Sequence, residues 1–139
     1  MRCPFGRPAV VEQASYLPTG EPFPTTYYLT CPFAVERVGA LEAGGGVGRY
    51  EQLVAGDAAM RRSWEAGAAD QRRLRRPAAV MADGGDSLQL GIGGTARTGS
   101  VKCLHAHAAF ALARPGYALG ERIVEECAPM YPVTECCCA

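Results

Sequence analysis

The sequence has almost no lysine: Lys102 is the only one, against thirteen arginines. It also lacks a surplus of either charge, with 14 basic and 14 acidic residues and a formal net charge of zero. Proteins that coat nucleic acid or an anionic membrane rely on excess positive charge, so neither role is expected. Long apolar runs are missing too. The longest, Leu104 to Ala113, carries two histidines and falls short of the roughly 18–20 residues of a membrane span. The opening Met1-Arg2-Cys3-Pro4-Phe5-Gly6 puts proline and charge where a secretory leader needs an apolar stretch. Together these absences predict a soluble, cytoplasmic protein.

What is abundant is punctuation. Seventeen glycines and ten prolines in 139 residues leave room mostly for short elements in one domain. Pro4, Pro8, Pro18, Pro22, Pro24 and Pro32 exclude a long helix before residue 33. Between them Ala9-Val10-Val11 and Thr25 to Thr30 read as short strands around a Leu17-Pro18-Thr19-Gly20 turn. Helices are expected over 33–43, 48–53, 58–76, 103–113 and 119–127, with Asp57 capping the third. The glycine-rich stretch 77–100 reads as a long loop with one short strand at Ser87 to Leu90. The predicted fold class is α+β: a small domain over 1–127 with short N-terminal strands, Cys-Pro turns and several short helices. Residues 128–139 read as a flexible, cysteine-rich tail.

Seven cysteines stand at 3, 31, 103, 127, 136, 137 and 138. In a reducing compartment an odd number of thiols points to metal binding or thiol chemistry rather than to disulfides. Cys3 and Cys31 each precede a proline, and Cys103 sits beside His105 and His107. Three thiolates and one imidazole form an ordinary tetrahedral zinc set, so Cys3, Cys31, Cys103 and one histidine are the candidate ligands. A helix over 103–107 would put His107 on the face of Cys103, four residues away. An extended start would instead align Cys103, His105 and His107. The helical reading favours His107, with His105 second. No CxxC pair exists among these residues, so the spacing is not that of a zinc finger. An iron–sulfur cluster on the same thiolates ranks below zinc.

Two other readings compete. Cys3 and Cys31 can be small buried hydrophobes, with both histidines satisfied inside or at the surface. Alternatively Cys103 and His107 form a nucleophile–base pair without metal, Glu42 and Glu121 being carboxylates of interest only by position. Gly91-Ile92-Gly93-Gly94-Thr95 matches no phosphate-binding pattern and reads as a turn that needs positive φ. Arg61, Arg62, Arg72, Arg73, Arg75 and Arg76 on the third helix read as a solvated face, with Trp64 and Leu74 turned inward.

Several strings of this chain resemble the bacterial family called DUF501. They are Cys3-Pro4-Phe5-Gly6, Pro22-Phe23-Pro24-Thr25-Thr26-Tyr27-Tyr28-Leu29-Thr30-Cys31-Pro32, Leu41-Glu42, Gly91-Ile92-Gly93-Gly94 and Val101-Lys102-Cys103-Leu104-His105-Ala106-His107. Where that family has an Asn-Pro-x-Gly string after its alanine-rich helix, this chain has Tyr117-Ala118-Leu119-Gly120. The resemblance implies a small bacterial cytosolic protein of unassigned activity, and its strings hold the candidate ligands. The function expected is a metal-stabilised binding or regulatory protein whose partner is a protein or a small anionic ligand. The alternatives are a metal-dependent hydrolase and a Cys/His thiol enzyme. Coordination separates the first two: four protein ligands close a site, and three leave a position for water.

Overall fold

The β-branched and aromatic residues among the N-terminal prolines form an antiparallel pair, β1 (Val10–Glu12) and β2 (Tyr27–Leu29), with Val10 opposite Leu29. The period-two alternation holds: Tyr27 and Leu29 are buried and Tyr28 points outward. The computed structural model describes residues 1–138 and is a small α+β domain, with five α-helices around that sheet. No helix among the described residues is long and apolar enough to cross a membrane.

Local sequence explains where the helices begin and end. Helix α1 (Pro32–Ala43) starts on a proline, whose missing N–H would have no helical partner there anyway. It ends at Gly44-Gly45, and Gly45 takes φ +84° before α2 (Gly46–Gly56) begins. Asp57 then caps α3 (Ala58–Leu74), its Oδ1 accepting the amides of Ala59 and Met60 at 2.8 and 3.0 Å. Replacing Asp57 by alanine is expected to cost about 1 kcal/mol in urea unfolding, the usual worth of such a cap. One arginine of α3's C-terminal end departs from the expected solvated face. Arg75 is 4% exposed and donates to the carbonyl oxygens of Phe23 and Ser15 and to Ser87 Oγ. It thereby ties the N-terminal segment to the glycine-rich loop.

The strand expected at Ser87 to Leu90 is not formed. Asp86–Gln89 is instead a 3-10 turn. The Asp83 carboxylate accepts the amides of Gly85 and Ser87 and the Tyr16 hydroxyl, so this backbone is satisfied locally and needs no sheet partner. The Gly91–Gly94 string forms a second tight turn, with Gly93 and Gly94 at φ +72° and +75°.

The core is organised around α4 (Leu104–Ala113), of which no residue is exposed. It packs against α5 (Ala118–Glu126), β2 and α1. Its alanines let these neighbours approach closely. Phe110 fills the space between them, meeting the rings of Tyr27 and Tyr117 edge-on at centroid distances of 5.5 Å each. Beyond α5 the chain turns back along α1: the Arg37 guanidinium donates to the carbonyl oxygens of Cys127 and Ala128, and Met130 is buried. Of the cysteine-rich segment expected to be a flexible tail, residues 128–138 are described and residue 139 lies outside the described residues.

Candidate metal centre

A strained turn delivers the candidate ligands. Lys102 has φ +59°, the sole positive value on a non-glycine residue among those described. The amide of Cys103 donates to the carbonyl of Val101, 2.6 Å away, which closes a three-residue turn over Lys102. A γ-turn with positive φ at its centre is the rarer and more strained kind, and such backbone costs on the order of 1–3 kcal/mol. Two carboxylates brace it from other helices. Glu51 of α2 accepts the Val101 amide at 3.1 Å, and Glu42 of α1 accepts the Leu104 amide at 2.6 Å. Helix α4 therefore begins at Leu104, with Cys103 extended just before it.

That start decides which histidine meets Cys103. Because Cys103 stands outside the helix, the four-residue face shared with His107 does not exist. Ligand atoms of Glu42, Cys103 and His105 lie within 4.8 Å of one another, the one such group of three among the described residues. His105 Nε2 lies 3.0 Å from the Val35 carbonyl oxygen, which can only accept, so this nitrogen carries a hydrogen. Nδ1 is left facing Glu42 Oε1 at 3.2 Å. The neighbouring Cys103 sulfur, the Val35 carbonyl and the Glu42 carboxylate hold the His105 imidazole up at about 9, against the opposing effect of partial burial. The metal-free site thus favours a positive charge at the point where its three donors converge.

The cluster is open on one side. Cys103 and His105 line a cavity of about 290 Å³ whose other walls include Thr25, Tyr27, Leu29 and Val35. That is near the lower end of small-molecule sites. A larger cavity of about 500 Å³ lies between α3 and the α4–α5 turn, but the Glu42–Cys103–His105 cluster is not part of it.

The other residues singled out in the sequence lie elsewhere. His107 is 1% exposed, and both ring nitrogens are engaged: Nε2 donates to the Val101 carbonyl at 3.0 Å, and Nδ1 accepts from the Tyr117 hydroxyl at 2.7 Å. Burial pushes its pKa down to about 4, with the Val101 carbonyl opposing, so this ring is neutral. It fastens the start of α4 to α5 and has no free nitrogen for a ligand. Cys3 and Cys31 are buried and do not join the Glu42–Cys103–His105 cluster. Cys31 instead has its sulfur 3.5 Å from that of Cys137. Glu121 accepts the Gly116 amide at the α4–α5 turn. In the sequence Glu42 was a carboxylate of interest by position and part of the Leu41-Glu42 string, without a sign that it meets Cys103 and His105. The Val35 carbonyl left no signal at all.

Comparison with curated proteins and with solved structures gives no significant match. A family model does match: DUF501, a protein of unknown function, over residues 1–125 of the 139-residue chain. The matched span holds the strained turn, its two bracing carboxylates and all three clustered donors, and leaves out the cysteines at 136–138. The chain belongs to the DUF501 family.

Proposed function

We propose that Glu42, Cys103 and His105 hold a zinc ion at the wall of the groove, and that the protein is a metal-dependent hydrolase of a small substrate. The observation that carries this reading is the convergence of three donors on one point beside an open cavity. One thiolate, one imidazole and one carboxylate suit zinc, and three protein ligands leave a position open. A zinc ion so held supplies activated water and polarises a substrate oxygen. The protein's own groups do the rest. The Val35 carbonyl fixes the His105 ring so that Nδ1 faces the cluster, an arrangement typical of ligating histidines. Glu51 and the Val101 carbonyl hold Cys103 where the strained turn puts it. Thr25, Tyr27 and Leu29 line the groove beside Cys103 and His105.

A metal-free thiol relay fits less well. Such a relay needs the nucleophile and the orienting carboxylate on opposite nitrogens of the base. Here Glu42 faces Nδ1 while Nε2 is bound to a backbone carbonyl.

Elemental analysis of protein purified without added metal tests the proposal. It is run in a background where Cys136, Cys137 and Cys138 are serine, so that those thiols contribute nothing. One zinc per chain is expected, and both Cys103→Ser and His105→Ala should remove it. His107→Gln should keep it. Metal-free protein, or zinc retained in both ligand variants, would overturn the assignment. Zinc bound without any hydrolysis across ester, amide and phosphoester panels would leave the centre standing and remove the hydrolase.

A further inference from the structure

A second group of sulfurs, outside the cluster of donors just described, lies at the N-terminus of α1. Cys31 immediately precedes that helix and is 2% exposed. Cys137, 106 residues later and exposed, has its sulfur 3.5 Å from that of Cys31, in van der Waals contact. The amide of Phe33, at the head of α1, favours the thiolate of Cys137. Pro32 has no N–H, so the Phe33 amide is the first that α1 can offer. A helix N-terminus favours a thiolate. Accordingly this amide brings the Cys137 thiol below its usual value, while burial pushes the Cys31 thiol up against the opposing Ala34 and Phe33 amides. The pair therefore consists of an exposed sulfur whose thiolate is favoured and a buried sulfur whose thiol is favoured.

We propose that Cys31 and Cys137 form a reversible disulfide in response to a hydroperoxide, with Cys137 as the attacking sulfur and Cys31 as the resolving one. The Cys137 thiolate attacks one peroxide oxygen and breaks the O–O bond. This gives a sulfenic acid at Cys137 and, from hydrogen peroxide, hydroxide. The Cys31 sulfur then attacks the Cys137 sulfur and displaces its oxygen. The Cys31 proton leaves with that oxygen as water. Two thiols are oxidised and one peroxide is reduced, and a thiol reductant reverses the change. Closing the bond pins the C-terminal segment across the head of α1. The site is independent of the metal reading, because neither cysteine belongs to the Glu42–Cys103–His105 cluster.

The competing thiols make the test selective. Cys138 lies next in sequence, its sulfur 3.9 Å from that of Cys137, and Cys136 is one residue to the other side. Reduced full-length protein is treated with one equivalent of hydrogen peroxide, blocked with an alkylating agent and mapped by mass spectrometry. A Cys31–Cys137 link is expected, and dithiothreitol should remove it. Cys137→Ser should lower the yield of all Cys31-linked product roughly tenfold, in line with the loss of the activated thiolate. Cys136→Ser and Cys138→Ser should leave that yield unchanged. Equal coupling of Cys31 to all three neighbours would overturn the proposal, since it would mean mere proximity of a cysteine-rich segment. So would an unchanged yield in Cys137→Ser, or oxidation of Cys137 to sulfinic acid without coupling. Zinc content of Cys137→Ser, measured in parallel, should equal that of the parent, which separates failure here from failure of the metal centre.

Discussion

Gly120→Ala is expected to destabilise the protein by about 3 kcal/mol or more, the upper range for forcing atoms into a packed core. A Cβ placed on Gly120 would lie 2.6 Å from the His107 carbonyl oxygen, 2.6 Å from Tyr117 Cδ1 and 2.7 Å from Ala111 Cβ. None of these neighbours is the loose end of a flexible side chain. Relief requires α5 to move off α4, which also packs against β2 and α1. Close approach of the two helices is a physical reason for glycine at this position. Urea unfolding of the variant should show the loss as a lower midpoint with an unchanged slope. A midpoint within about 0.5 kcal/mol of the parent, the range of an ordinary surface substitution, would mean that the helices are not packed this closely.

The second large effect is acid sensitivity. His107 is neutral in the folded protein, with its pKa pushed down to about 4 from an ordinary 6.5. The unfolded chain therefore takes up a proton between these values and the folded protein does not. Stability is full above pH 6.5 and should fall by roughly 3 kcal/mol as the pH drops through 4. His105 behaves in the opposite sense in metal-free protein. Its pKa is held at about 9, so its contribution is full below 6.5 and is lost as the pH rises through 9. These are the only two histidines, and their windows do not overlap. Urea midpoints measured from pH 4 to pH 9 should peak near 6.5. His107→Gln should flatten the acid limb and leave the alkaline one in place. An acid limb that survives this substitution would assign the effect to carboxylates instead.

Much of the architecture was legible because it is written in residues with strong local rules. Pro32 and Asp57 start helices, Gly44-Gly45 stops one, and the Val and Tyr runs between prolines make the strands. The misreadings arose where a side chain from far along the sequence satisfies the backbone. Asp83 with Tyr16 turned an apparent strand into a 3-10 turn. Glu42 and Glu51 hold a strained turn at Lys102, a position where no glycine announces positive φ. That single dihedral moves Cys103 out of the helix, and the histidine that meets it is His105, not His107. Cys103 and His105 were visible as chemistry-bearing residues. Glu42 was named beside them only by position, because it is sixty-odd positions away and arrives by the packing of α1 on α4.

The enclosure of α4 bears on ion choice. A surface helix could roll or slide by a fraction of an ångström to suit a bigger guest, but this one is packed against α5, β2 and α1. Cys103 and His105 sit at its head, and Glu42 is fastened to the same backbone by the Leu104 amide. The opening between the three donors is thus set by the interior as a whole. A radius-matched ion should seat without disturbing the helices, whereas cadmium, larger and equally fond of sulfur, would have to wedge them apart.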